Sequence, residues 1–323
     1  MLVEGLVSTI VPVHNRPALL REAVNSALAQ TYRPIEIIIV DDGSTDRTPQ
    51  VALALASAYP SVVQVVRTAN AGPGAAREAG RRKARGSFIQ YLDSDDILLP
   101  NKFAAQTSGL MQFPHCDVSY GKTCHQGYGE GTSDQPWKRT GERIVTMFPS
   151  FLQSRWWGTS TPLYRRRLTD QAGPWLPLSS EEDWEYDCRL ASFGVNLHYC
   201  DALISIERSH EGHRLSNGGS GDPRKLADRT QVHELILNHA RKAGISREAD
   251  EMQHFSRELF LLSRQCGAAG LKKESERLFR LAREASLPHR AAGIDFRVYE
   301  MAARAIGWTT VGRLAARLDM LRQ

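Results

Sequence analysis

The chain has 323 residues, 41% of them hydrophobic and 24% charged, which suits one large globular domain or two smaller ones. No run approaches the roughly 18 apolar residues of a membrane-spanning helix. The N-terminus also lacks the basic stretch, apolar core and cleavage site of a secretory signal, so a cytoplasmic protein is expected. The net charge of +5 is unevenly placed: residues 223–323 hold 19 Lys and Arg against 12 Asp and Glu, a net of +7, leaving −2 for the rest.

In chain order, residues 6–13 read as a buried strand. Pro17 then sits where a first helical turn tolerates it, and Leu19, Leu20, Ala23, Ala27 and Leu28 recur at helical spacing. Residues 35–40 form a second strand, 48–58 a helix, 62–67 a third strand, 74–85 a helix and 88–92 a fourth strand. Strands alternating with helices at this spacing imply βαβ units and a mostly parallel sheet, whose ligands bind beyond the carboxyl ends of the strands. Residues 121–141, rich in Gly and polar residues, read as a long loop, with order resuming at 156–168. Residues 212–223 are glycine-rich and suit a lid. From about residue 225 the pattern is helical, with a helix-turn-helix unit at 254–286. The expected division is therefore 1–222 for the α/β domain and 223–323 for a helical extension. The odd set Cys116, Cys124, Cys188, Cys200 and Cys266 has no CxxC spacing, so free thiols are expected rather than disulfides or zinc.

The residues with chemical potential stand just after the strands. Asp93, Asp95 and Asp96 follow the fourth. Three carboxylates in four residues repel one another unless something neutralises them, and a divalent cation bridging a diphosphate would do so. The bland alternative has Asp95 or Asp96 capping a helix at 97–106. After the second strand come Asp41, Asp42, Gly43, Ser44, Thr45 and Asp46. One carboxylate there suits a nucleobase N–H or a ribose hydroxyl, and a helix cap is compatible with that. Pro12, His14 and Asn15 follow the first strand and would line the same mouth. Asn70, Gly72, Gly74 and Arg77 follow the third; the motif superficially resembles a dinucleotide fingerprint, but it follows the wrong strand and contains Pro73. A helix starting beside a nucleotide, with Arg77 facing diphosphate, fits better. Glu181, Glu182, Asp183 and Glu185 put four acids at one helix start, more than its dipole needs, so Glu182 or Asp183 suits a general base. His210 and His213 could complete a metal shell or touch phosphate. Trp156, Trp157, Gly158 and Thr159 suit either an acceptor sugar or the core.

Five segments, STIVPVHNR, IIIVDDGSTD, NAGPGAARE, FIQYLDSDD and SEEDWEYDCRL, occur in that order. Together they resemble the family-two glycosyltransferases with the GT-A fold over roughly residues 6–215. The resemblance implies a Rossmann-like α/β domain with a mostly parallel mixed sheet, followed here by an α-helical region. It implies an inverting transfer from a nucleotide-diphospho-sugar, most commonly UDP-linked, to a hydroxyl acceptor on a glycan, a lipid-linked molecule or another compound in polysaccharide or glycoconjugate synthesis. Asp42 would meet the base with Pro12 and His14 nearby. Asp93, Asp95 and Asp96 would form the DxD-type site for Mn²⁺ or Mg²⁺ and ribose, Asp183 would be the catalytic base, and His210 or His213 a late metal or phosphate contact. Where His14 stands the family usually has Tyr. The rival readings are a nucleotidyltransferase, which usually needs a Gly- and Lys-rich phosphate loop near the first strand, and a non-catalytic glycan-binding module. No nucleic-acid partner is expected. In the last helix Val311, Leu314, Ala315, Leu318 and Leu321 share a face bordered by Arg313, Arg317 and Arg322. That face suits an anionic membrane surface at the inner leaflet, packing on the domain, or a homodimer contact.

Overall fold

The computed structural model describes residues 2–209 and 222–320, with side chains to residue 317. The described residues form two compact units: one from residues 2–147, 155–178 and 194–209, the other from 148–154, 179–193 and 222–320.

The first unit is built on one mixed sheet. Strands β1 (Val3–Val13), β2 (Ile35–Asp42), β3 (Val63–Thr68) and β4 (Gly86–Tyr91) are mutually parallel in the order β3-β2-β1-β4. The sheet continues through β8 (Leu163–Arg165), β6 (Cys116–Gln126), β9 (Asn196–Arg208) and β5 (Ile97–Leu98), β7 (Thr132–Pro136) pairs with β6, and helix α5 (Arg166–Ala172) follows β8. Helices α1 (Pro17–Leu28), α2 (Thr48–Ala58) and α3 (Pro73–Lys83) are the crossovers that parallel neighbours require. β2 is buried along its whole length, which explains the Ile and Val run from Ile37 to Val40. Between strands and helices lies a core that includes Val7, Val11, Leu20, Val24, Ile37, Ile39, Phe88 and Phe103. Gly80 lets α3 sit close on the sheet: a Cβ there would lie 2.4 Å from an Ile10 methyl.

Two expectations change, and one strand is unanticipated. Residues 121–141 are not one loop. β6 runs to Gln126 and β7 pairs antiparallel with it, Cys124 opposite Pro136 and Gln126 opposite Thr132. β7 is largely exposed, so it lacks the apolar alternation that would reveal a strand. The turn after Asp96 enters β5, and α4 starts only at Lys102 (Lys102–Gln112), so Asp95 and Asp96 cap no helix at 97–106. β9, unread in the sequence, runs parallel to β6 with irregular register, which blurs its period. The five cysteines are free and buried.

The second unit contains α6 (Glu182–Ala191), α7 (Pro223–Lys242), α8 (Asp250–Ala268), α9 (Lys272–Ala285), α10 (Pro288–Ala291), α11 (Ile294–Ile306) and α12 (Trp308–Met320). The α8–α9 hairpin matches the predicted helix-turn-helix, and Phe260, Phe279, Phe296, Tyr299 and Trp308 form an aromatic cluster beside it. Among the described residues no helix is long and apolar enough to cross a membrane.

Candidate active site

Parallel pairing brings the carboxyl ends of β1, β2 and β4 to one rim: Val13 is opposite Asp41, and Ile10 is opposite Tyr91. The acidic groups gathered there have different partners.

At the end of β2, Asp42 is buried and spends both oxygens on the next loop. Oδ1 accepts from the Ala71 amide and Oδ2 from the Gly72 amide, each at 2.9 Å. Asp41 Oδ1 accepts from the Ser44 amide (3.0 Å), and Arg67 lies 3.3 Å from Oδ2. Gly43 joins the two motifs: its φ is +68°, and a Cβ would lie 2.7 Å from the Asn70 amide nitrogen, so only glycine fits. His14 Nδ1 donates to the Asp42 carbonyl (2.8 Å), which leaves Nε2 to accept from the Asn15 amide group (3.1 Å). Asn15 in turn accepts from the Thr45 amide (2.8 Å), and the Asn70 amide group lies 3.2 Å from His14. His14, Asn15 and Asn70 are exposed at the mouth, whereas Pro12 is buried within β1 and Gly74 within the first turn of α3.

At the end of β4 the partners are cationic. Arg16 reaches Asp95 at 2.9 Å, and Arg77 reaches Asp93 at 2.7 Å. Arg77, expected beside diphosphate, is only 4% exposed and also lies 4.8 Å over the Trp175 ring; burial in the α3 packing turns it toward Asp93. Asp96 is fully enclosed. Its Oδ2 accepts from the Ser160 hydroxyl (2.6 Å) and its Oδ1 from the Arg208 amide (3.1 Å). Ser160 also accepts from the Asp93 amide (3.1 Å), so one hydroxyl ties two of the aspartates. Lys102 and Gln106 of α4 in turn hold the adjacent Thr161 carbonyl, at 2.5 and 3.2 Å. The Arg208 guanidinium donates to the Asp95 carbonyl (2.5 Å) and pairs with Glu22. Burial, then the charges of Asp95, Glu207 and Asp93, push the Asp96 carboxyl well above its ordinary range. Burial alone brings the Lys102 ammonium down to about 7.

A divalent cation suits this donor chemistry. The oxygens are hard, and the like charges of Asp95, Glu207 and Asp93 add to burial in raising the Asp96 carboxyl. Among the described residues no three His, Cys, Asp or Glu side chains already converge as a metal cluster. His210 and His213, the remaining expected metal contacts, lie outside the described residues, as does the 212–221 part of the expected lid.

Asp183 and Glu182 belong to the second unit, at the start of α6. Two neighbouring acids have structural partners: Glu181 accepts from Arg229 (2.9 Å), while Glu185 is held by Arg189 and His239, both at 2.8 Å. Burial raises the Glu181 carboxyl despite Arg229. Glu182 is buried, and half-buried Asp183 accepts from the Trp184 amide (2.8 Å). Trp156 and Trp157 are buried, and Trp156 carries the Arg139 guanidinium 3.8 Å over its ring, so core packing rather than an acceptor wall describes them. Sequence reasoning missed Ser160, Trp175, Glu207 and Arg208. Ser160, Trp175 and Glu207 stand in segments with no motif of their own, and Arg208, which opens the segment holding His210 and His213, lies 112 residues from the Asp96 it meets.

The sheet order, its parallel half and the acidic rim define an α/β fold of the GT-A class. Residues 8–168 match the family model described as glycosyl transferase family 2, and through that domain the chain belongs to the family. An uncharacterised glycosyltransferase of Rickettsia prowazekii is 41% identical over 113 residues, 35% of this chain and 34% of the relative. The minor teichoic acid biosynthesis protein GgaA of Bacillus subtilis is 32% identical over 129 residues, 38% and 29% of the two chains. The matches thus span about a third of these curated relatives' length. Among solved structures, residues 1–349 of S. aureus TarS in complex with UDP-GlcNAc superpose with a TM-score of 0.71 at 21% identity, covering 97% of this chain and 92% of that one. A mannosyltransferase from Pyrobaculum calidifontis in complex with GDP-Man and Mn²⁺ gives a TM-score of 0.52 at 19% identity, covering 98% and 86%. At these identities the likeness concerns the fold.

Proposed function

We propose that the chain is an inverting, metal-assisted glycosyltransferase that moves a sugar from a nucleotide-diphospho-sugar, UDP-linked, to a hydroxyl acceptor in the synthesis of a surface polysaccharide or glycoconjugate. The observation that carries this is the gathering of Asp93, Asp95 and Asp96 at the carboxyl rim of a parallel sheet within a family 2 domain. The UDP-GlcNAc complex of TarS and the teichoic acid role in the name of GgaA support the choice of donor and pathway class.

In this reading the β1 and β2 ends receive the nucleoside. Asp42 shapes the Asn70–Gly72 loop, and exposed His14, Asn15 and Asn70 meet the base and ribose. Asp93, Asp95 and Asp96, with His210 or His213, would hold Mn²⁺ or Mg²⁺, which supplies Lewis-acid neutralisation of the departing diphosphate. Arg16 and Arg77 set the positions of Asp95 and Asp93. Asp183, with Glu182 beside it, removes the proton of the attacking hydroxyl. Attack on the sugar face opposite the diphosphate inverts the anomeric centre. The acceptor is a glycan or a lipid-linked hydroxyl.

A thermal-shift series with UDP, GDP and UDP-GlcNAc, each with and without Mn²⁺, tests donor and metal. The largest stabilisation is expected with UDP-GlcNAc and Mn²⁺ together. With the preferred donor and an acceptor, Asp183→Asn should cut nucleotide release by about 10²–10⁴-fold while leaving donor binding intact. Transfer at a near-normal rate in that variant would remove Asp183 from its role.

A further inference from the structure

Helix α11 carries apolar residues on two opposite faces. One is used within its unit: Phe296, Tyr299 and Ala303 are buried, with Phe296 stacked on Phe260 (4.8 Å) and Tyr299 on Phe279 (5.7 Å). The other faces solvent: Ile294, Val298 and Met301 are 81%, 53% and 63% exposed. Their spacing of i, i+4 and i+7 places them in one stripe, and exposed Ala305 extends it. Scattered surface apolar residues need no explanation, but an aligned stripe on a helix whose core face is already filled does. Exposed Arg297 and Arg304 run along one border of the stripe, and exposed Arg290 stands just before the helix. Glu300, the acid nearest that border, is already engaged by Arg283 (2.7 Å) and Arg304 (2.6 Å).

We propose that this stripe and its arginine border form a docking surface for an anionic lipid bilayer, with α11 lying along the headgroup region. The assignment is independent of the transferase reading. The charge complements such a surface, since residues 223–323 carry a net +7 and the rest of the chain −2. Shallow insertion of a few apolar side chains beside basic ones is sufficient for an interfacial helix. The face sought in the sequence is a different one. In α12, Val311 and Ala315 are buried, and a Cβ on Gly312 would lie 2.5 Å from the Ala268 amide nitrogen, so that helix packs on α8.

Flotation of the full chain with vesicles of phosphatidylglycerol and phosphatidylcholine, and of phosphatidylcholine alone, tests this. The protein should float with the anionic vesicles only. The combined Ile294→Ser, Val298→Ser, Met301→Ser variant should lose about tenfold in binding, and Arg297→Glu with Arg304→Glu a comparable amount. Leu53→Ser, which removes an exposed apolar residue from α2, should change nothing. All substituted side chains are exposed, and far-UV circular dichroism checks that each variant is folded. Wild-type protein that stays unbound, or a folded triple-serine variant that floats like wild type, overturns the proposal. So does a concentration-dependent doubling of mass that the triple-serine variant abolishes, because the occupant would then be a second copy.

Discussion

The ends of β2 and β4 have nearly the same composition and opposite physics. At β2, Asp41 and Asp42 accept backbone amides from Ser44, Ala71 and Gly72, so their charge is dispersed into the loops they shape. At β4, Asp93 and Asp95 face guanidinium groups, and Asp96 is enclosed among like charges that raise its carboxyl. A run of aspartates is therefore a framework where its partners are amides. It is a candidate cation site where most of the partners are guanidinium groups and other carboxylates, whereas at β2 only Arg67 beside Asp41 is of that kind. The distinction lies in the partners, not in the acids.

The largest effect that would break this contrast is on transfer. Asp96→Asn should lower metal-dependent nucleotide release by about 100-fold, a few kcal/mol of transition-state stabilisation. Its thermal midpoint without metal should stay equal to wild type or rise, because the carboxamide oxygen can accept from the Arg208 amide while its NH2 donates to the Ser160 hydroxyl, and the repulsion is gone. A large loss of stability would make Asp96 a framework residue like Asp42. The reverse pattern is expected at β2. Asp42→Ala leaves the Ala71 and Gly72 amides without their carboxylate, costing about 2–3 kcal/mol and lowering the midpoint by roughly 5–10 °C. Asn70 would be displaced with its loop, so donor affinity should fall together with stability; unchanged stability would dissolve the contrast from the other side.

The smallest effect is on pH dependence. Because the folded-state pKa of Asp96 is raised, the folded chain binds the extra proton between the ordinary carboxylate range and that raised value. Stability from this group is therefore fully present below the ordinary range and is lost as pH rises through the raised value. In metal-free protein the wild-type midpoint should gain on Asp96→Asn as pH is lowered from 7 to 5. Parallel midpoints across that range would show that Asp96 is not under-compensated.

Much of this was legible in the sequence. Short apolar runs, those of β2 and β4 closed by Asp, marked β1 to β4, the intervening helical spacing marked the crossovers, and parallel topology then placed the acidic segments at one rim. The second half of the sheet was not legible. β7 is exposed and polar, and β9 follows a broken register along β6, so neither carries a clean period.

Local chemistry in the sequence determined which elements form, that carboxylates end two of the strands, and the family to which residues 8–168 belong. Only the tertiary structure decided who neutralises whom: Arg16 with Asp95, Arg77 with Asp93, and Ser160 and the Arg208 amide with Asp96. It also decided that the last helix is spent on α8 while α11 keeps a bare apolar stripe. The physical reason is common to both. Propensity and period act over a few residues, whereas ion pairing and burial depend on which distant segments the sheet register and helix packing bring within a few ångströms.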